Sequence, residues 1–198
     1  MCIYEQVDNI GYCLVRGFDG KIDQILAPLG EICMTTDVVV DLSTPALVTS
    51  DEALDFHTDH SQVKFIAWYC LKQSSEGGES RLIDARTIIN SMPSDLREEL
   101  TQIRLFEHKA FPDDTKSCQL LRYEGDKPLV YYSFWLADEK QKQTESFEYF
   151  RNQIPQVEEI VFCLKPGDLL IIDNRRMLHG RTAIKGDKNR FLKRYWLN

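Results

Sequence analysis

No stretch of the chain reaches the roughly 18 consecutive apolar residues that a bilayer-spanning helix needs. The start, Met1-Cys2-Ile3-Tyr4-Glu5, has neither a basic region nor a long apolar run, so no secretory signal is expected. None of the six cysteines, at positions 2, 13, 33, 70, 118 and 163, forms a CxxC pair. That excludes a zinc ribbon and a dithiol redox motif. Most of them sit in apolar runs such as Val161-Phe162-Cys163-Leu164 and read as reduced, small hydrophobes, which points to the cytoplasm. Internal repeats and low-complexity tracts are also lacking. Positive charge is in deficit, with a formal net charge of -7, which argues against nucleic acid or an anionic membrane face as the main partner.

What is present is an ordinary globular composition, 43% hydrophobic and 28% charged over 198 residues. That length fits a single domain, 1–198, with a core from about residue 10 onward. Strands are expected at Ile10–Phe18, Val38–Leu42, Leu54–Asp59, Val63–Leu71, Arg81–Ile83, Leu129–Leu136, Val157–Leu164 and Asp168–Asp173. Two more, Met177–Ile184 and Asn189–Leu197, flank the turn Lys185-Gly186-Asp187-Lys188. Helical spacing marks Ile22–Met34, weakened by Pro28 and Gly30, as well as Pro93–Ile103 and Thr144–Gln153. Residues 43–53 read as a loop. Many short strands between Gly/Pro turns indicate a mainly β sandwich or barrel with flanking helices.

His57-Thr58-Asp59 is the first candidate site element. On a strand, residues two apart share a face, so His57 and Asp59 can converge while Thr58 points away. Alone, this pair equally fits a polar strand end. His179, between Leu178 and Gly180, could alone be a core histidine. Together they offer two imidazoles and one carboxylate, a set that occupies one face of an octahedral metal and leaves three positions open. Non-haem Fe(II) oxygenases use such a set, whereas zinc favours a tetrahedral one.

The C-terminal strand adds cations. With the turn centred on Gly186-Asp187, a hairpin would set His179 opposite Arg194 and Ala183 opposite Arg190. Arg190, Leu192, Arg194 and Trp196 share one strand face by period two. Guanidinium groups in a partly dry cavity call for an anion, and a metal-chelating dicarboxylate such as 2-oxoglutarate meets that need. Two surface arginines are the plain alternative.

Five stretches then resemble the taurine dioxygenase and clavaminate synthase type of Fe(II)/2-oxoglutarate dioxygenase. They are Phe56-His57-Thr58-Asp59-His60-Ser61, Glu76-Gly77-Gly78-Glu79-Ser80-Arg81-Leu82-Ile83-Asp84, Lys165 to Asn174, Leu178-His179-Gly180-Arg181-Thr182 and Arg190-Phe191-Leu192-Lys193-Arg194. The resemblance implies a double-stranded β-helix, a cupin-like jelly roll with its metal inside one end. It implies Fe(II) on His57, Asp59 and His179. It also implies 2-oxoglutarate on Arg190, with Arg194 as a second cationic neighbour and the Ser80 hydroxyl where relatives often place a threonine. Dioxygen would be the oxidant, with succinate and carbon dioxide released and an unactivated C–H bond hydroxylated. A carboxylate at Asp59, rather than a small residue, disfavours halogenation and leaves hydroxylation, desaturation or cyclisation.

The chain is short for this group, so its lead segment and lid loops look trimmed. That suggests a substrate that is either a small molecule or one presented by a peptide or carrier. A catalytically idle binding jelly roll and a cupin-like isomerase or hydrolase are the competing readings. His60 reads as structural or surface, His108 has no assigned role, Arg122 reads as solvated, and Asn174 and Arg181 as groups that orient the distal ligand. Trp68, Tyr131, Tyr132 and Trp135 are core by default. Nothing in the sequence sets the oligomeric state.

Overall fold

A computed structural model describes residues 2–43, 47–110 and 117–198. The expected loop at 43–53 therefore lies outside the described residues at 44–46. Two antiparallel sheets face each other. The first runs Tyr12–Val15 (β1), Leu169–Asp173, Phe65–Lys72, Phe191–Leu197 and Ile32–Val39 (β2) in spatial order. The second runs Ile160–Phe162, Ser80–Asp84, Met177–Arg181 and Leu54–His57. In chain order the remaining strands are β3 (Leu54–His57), β4 (Phe65–Lys72), β5 (Ser80–Asp84), β6 (Arg104–Phe106), β7 (Ser117–Gln119), β8 (Leu121–Glu124), β9 (Lys127–Val130), β10 (Ile160–Phe162), β11 (Leu169–Asp173), β12 (Met177–Arg181) and β13 (Phe191–Leu197). This is the expected mainly β jelly roll with flanking helices.

Period-two alternation decides which side chains meet between the sheets. Ile66, Trp68 and Cys70 of β4, Leu170 and Ile172 of β11, and Leu192 and Trp196 of β13 point inward onto Leu82 of β5 and Met177 of β12. Their neighbours Phe65, Ala67, Leu169, Ile171, Tyr195 and Leu197 point outward. Residues from two helices, α1 (Ile3–Ile10) and α2 (Ile22–Leu26), cover that outer face. β11 is apolar and buried on both faces for this reason. The outer face of the second sheet carries Phe56, Ile83 and Leu178. They pack under α3 (Ala85–Ser91), α4 (Ser94–Leu100) and, after α5 (Glu139–Lys142), under Phe147 and Phe150 of α6 (Glu145–Gln153).

Several expectations need correction. Met177–Ile184 and Asn189–Leu197 do not form a hairpin. β12 pairs with β3 and β5, whereas β13 pairs with β2 and β4, so they lie in opposite sheets. The connection crosses between layers, because each strand finds its hydrogen bonds and apolar face in a different sheet. Ile10 closes a helix and does not open a strand. Cys2 and Glu5 cap that helix reciprocally, and it ends at Gly11. The helical pattern at Ile22–Met34 stops at Leu26, runs through a 3-10 turn at Ala27–Leu29 with Pro28, and becomes β2 from Ile32. Leu129–Leu136 is a strand only to Val130 and ends in a 3-10 turn at Phe134–Leu136. Cys13 and Cys70 are buried, but Cys2, Cys33 and Cys163 are exposed. Alternation on β2 sends Cys33 outward. Among the described residues, no helix is long and apolar enough to cross a membrane.

Candidate metal centre

β3 delivers His57 as its last residue, so Asp59 lies beyond the strand rather than on it. The segment holds its shape through neighbours on both sides. Thr58 N–H donates to the Tyr132 carbonyl at 2.7 Å, and Tyr132 N–H donates to the Thr58 hydroxyl at 3.0 Å. Asp59 N–H donates to Asn174 Oδ1 at 2.8 Å, while Asn174 Nδ2 donates to the carbonyls of His60 and Val63. Thr58 thus faces away, as the spacing predicts, and Asn174 anchors the Asp59 side, not His179.

His179 is the direct register partner of His57. Gly180 allows the close pairing, since a Cβ there would lie 2.6 Å from the Leu54 carbonyl oxygen. Ligand atoms of His57, Asp59 and His179 all lie within 4.8 Å of one another, and all three residues are buried. Asp59 Oδ1 is 3.7 Å from His57 Nε2 and 3.6 Å from His179 Nε2. The other carboxylate oxygen, Oδ2, is occupied: Trp196 Nε1 donates to it at 2.7 Å and an Arg194 guanidinium nitrogen at 3.0 Å.

The protonation states suit a cation. The Asp55 carbonyl, which can only accept, lies 2.8 Å from His57 Nδ1, so Nδ1 is the donor and the ring turns Nε2 toward Asp59. Burial, with His57 beside it, pushes His179 down to about 4, so it is neutral at ordinary pH. Packing holds its ring, edge-on to Trp68 at 5.1 Å and against His57 at 4.3 Å. Burial pushes Asp59 upward, but Arg194, His179 and His57 outweigh it and keep the carboxyl well below its usual range. Two imidazoles, that of His179 held neutral, and one ionised carboxylate, converging on one point, fit a divalent transition metal with open positions.

A cavity of about 50 Å³ adjoins these groups, lined among others by His57, Trp68, Ser80, His179, Arg190 and Arg194. Arg190 and Arg194 reach it from β13 and its lead-in, as their shared face predicts, although they approach from the opposite sheet and not across a hairpin. Arg190 is buried, and its Nε donates to the Gly78 carbonyl at 3.0 Å. Among the described residues no carboxylate forms an ion pair with it. Burial, then nearby Arg181, pushes it down to about 10, which still leaves it charged. Gly78 permits this approach: its φ is +78°, and a Cβ there would sit 2.9 Å from Arg190 Cδ. Arg181 lines the same cavity, but its guanidinium is engaged, donating to the carbonyls of Val48, Ser50 and Glu52.

A second opening on the metal side is lined by Leu47, Val48, Leu54, His57, Asp59, His108, Trp135, Arg194 and Trp196. Sequence reasoning gave His108 no role and Trp196 only a face. His108 Nε2 lies 3.3 Å from the Thr58 carbonyl. The irregular stretch around it has no period to read, whereas Trp196 was signalled by its spacing from Arg194. Trp68 and Trp135 line cavities, while Tyr131 and Tyr132 are core residues. His60 is fully buried, near Glu107. Arg122 donates to the Ser61 carbonyl and the Cys118 sulfur, so it is internally bonded rather than solvated.

Fold and site together define a jelly roll with a two-histidine, one-carboxylate centre inside one end. The chain belongs to the TauD/TfdA family: residues 4–196 match the model described as taurine catabolism dioxygenase TauD, TfdA family. It is 27% identical over 170 residues to clavaminate synthase 2 of Streptomyces clavuligerus, covering 75% of this chain and 51% of that protein. The chain thus spans about half the length of that relative. Among solved structures, the non-heme iron oxygenase OrfP in complex with (3S)-hydroxy-L-Arg superposes with a TM-score of 0.75 at 16% identity, covering 98% of this chain and 77% of that one. Asparagine oxygenase, in complex with Fe(II), 2S,3S-3-hydroxyasparagine and succinate, gives 0.66 at 20% identity, covering 82% and 56%. PvcB, an Fe, alpha-ketoglutarate dependent oxygenase from an isonitrile synthetic pathway, gives 0.70 at 16%, covering 98% and 78%. These likenesses show the shared fold.

Proposed function

We propose that this protein is a mononuclear Fe(II) oxygenase that uses 2-oxoglutarate and dioxygen to hydroxylate an unactivated C–H bond of a small, amino-acid-like substrate, free or presented on a peptide or carrier. Succinate and carbon dioxide would be the co-products. The observation that carries this reading is Arg190, a buried guanidinium without a carboxylate partner among the described residues, facing the cavity that His57 and His179 also line. A buried cation of this kind calls for an anion. A dicarboxylate chelating the metal at one end can supply it at the other.

In this reading His57 Nε2, His179 Nε2 and Asp59 Oδ1 hold Fe(II). Arg190 and the Ser80 hydroxyl hold the far carboxylate of 2-oxoglutarate, and Arg194 contributes positive charge between that carboxylate and Asp59. The bound metal and co-substrate supply the oxidising chemistry. Around them Trp68, Leu82 and Leu192 supply the apolar part of the lining, which strengthens the charged contacts beside it. The opening past His108 and Trp135 is the substrate side, consistent with relatives whose structures contain hydroxylated asparagine or arginine. We place all 198 residues in one catalytic domain, acting in the cytoplasm.

The test is an anaerobic titration with Fe(II) and then 2-oxoglutarate, followed by a screen of amino acids for succinate release. A visible charge-transfer band is expected. Arg190→Ala should weaken 2-oxoglutarate binding roughly 100-fold, the scale of a charge-assisted hydrogen bond pair. Arg122→Ala should leave it unchanged. Equal 2-oxoglutarate affinity in Arg190→Ala and the parent would end the assignment.

A further inference from the structure

The carboxylate of Asp59 has two oxygens, and the protein treats them differently. Oδ1 faces both imidazole Nε2 atoms, at 3.7 and 3.6 Å. Oδ2 takes the Trp196 indole N–H at 2.7 Å and an Arg194 guanidinium nitrogen at 3.0 Å. An indole N–H has one hydrogen, is never an acceptor and does not ionise. The Trp196 ring is buried in the core between the sheets, packed with residues of both, so it has little freedom to turn away. Arg194 packs over the same ring, its guanidinium carbon 4.9 Å from the ring centre, and is steadied by a second bond from Nε to the Thr36 hydroxyl. A free carboxylate can bind a metal through one oxygen or through both. Here the second oxygen would have to give up two donors, one of them charged, inside a water-poor site.

We propose that Trp196 is a positioning residue: its indole N–H pins Asp59 Oδ2 and so confines the carboxylate to single-oxygen ligation through Oδ1. The consequence is a count of open positions. With Asp59 held to one oxygen, three coordination positions stay free on an octahedral metal, two for a chelating 2-oxo acid and one for dioxygen. With the indole donor removed, Arg194 alone holds Oδ2, and that oxygen can turn more readily onto the metal and close one of them. Trp196 does not ligate the metal in this account; its ring edges the second opening, and the indole N–H acts through Asp59. This inference rests on the iron reading above, and the experiment separates the two.

The chain and its Trp196→Phe variant are loaded anaerobically with Fe(II) and titrated with 2-oxoglutarate. The phenyl ring fills most of the space but donates no hydrogen bond. Removing a partner that orients a metal ligand typically costs 10- to 100-fold in metal affinity or activity. We expect the half-saturating 2-oxoglutarate concentration, read from the charge-transfer band, to rise roughly tenfold or more, with a second, smaller fall in Fe(II) affinity. A merely structural role for the ring would lower thermal stability without raising that concentration. If the unaltered chain shows no band, the iron reading and this inference fall together. If it shows the band and Trp196→Phe titrates identically, only the pin is overturned. Should the variant not fold, the unaltered protein still decides. The Trp196 indole proton, in isotope-labelled protein loaded with Zn(II), should stay shifted and slow to exchange with solvent. Loss of that protection on metal loading would overturn the proposal.

Discussion

His57 and His179 face each other as register partners on adjacent antiparallel strands, their ring centres 4.3 Å apart, although most of the chain lies between them. The two imidazoles are therefore brought together by backbone hydrogen bonding within one sheet. Asp59 completes the centre from just past the end of the same strand. The pairing of β3 with β12 thus sets the spacing of the two imidazoles. Loading should then need little rearrangement of β3 or β12.

Asp59 should be doubly costly to remove. In Asp59→Ala, Fe(II) binding should fall at least 100-fold, since only two imidazoles remain. The metal-free protein should also lose roughly 3 kcal/mol of stability, because the largely buried Arg194 keeps its charge and loses its partner. Denaturant unfolding of the apoprotein measures the second effect. A stability equal to the parent's would mean Arg194 finds another anion or water.

Gly78 should act on the co-substrate end alone. Its backbone is in the left-handed region at φ +78°, and a Cβ would press on Arg190. Gly78→Ala should cost about 1–2 kcal/mol in backbone strain. By displacing Arg190, it should weaken 2-oxoglutarate binding about tenfold, the equivalent of ~1.4 kcal/mol. Fe(II) affinity measured without 2-oxoglutarate should not move, and a fall there would show that the damage spreads to the ligands.

Asn174 ties the Asp59 backbone to the turn that follows it. Asn174→Ala strands the Asp59 amide and the Val63 carbonyl in a buried setting, leaving the His60 carbonyl only the Val63 N–H, so about 2 kcal/mol of stability should be lost. Metal affinity should drop roughly 10- to 100-fold, as is usual when a group orienting a ligand is removed. Calorimetry of Fe(II) or Zn(II) binding separates the two effects. An unaltered metal affinity would mean that Tyr132 alone holds the segment.

The order of short strands, the shared face of Arg190, Arg194 and Trp196, and the three residue types of the candidate centre were readable along the chain. Alternation and local spacing are properties of consecutive residues, and backbone geometry imposes them wherever the strand ends up. Strand pairing was not readable. The turn at Gly186-Asp187 looks like a hairpin, yet β12 and β13 belong to opposite sheets, because each is claimed by partners distant in sequence. The same holds for the helix at Ile3–Ile10, which takes only the first residue of the strand expected at Ile10–Phe18, and for His108, drawn to the Thr58 carbonyl from an irregular stretch. The sequence alone determined which side chains could serve a metal and a dicarboxylate. Only the tertiary structure decided which atoms meet: one oxygen of Asp59 facing two imidazoles, the other held by Trp196 and Arg194. Such contacts depend on long-range sheet register, and no local pattern encodes it.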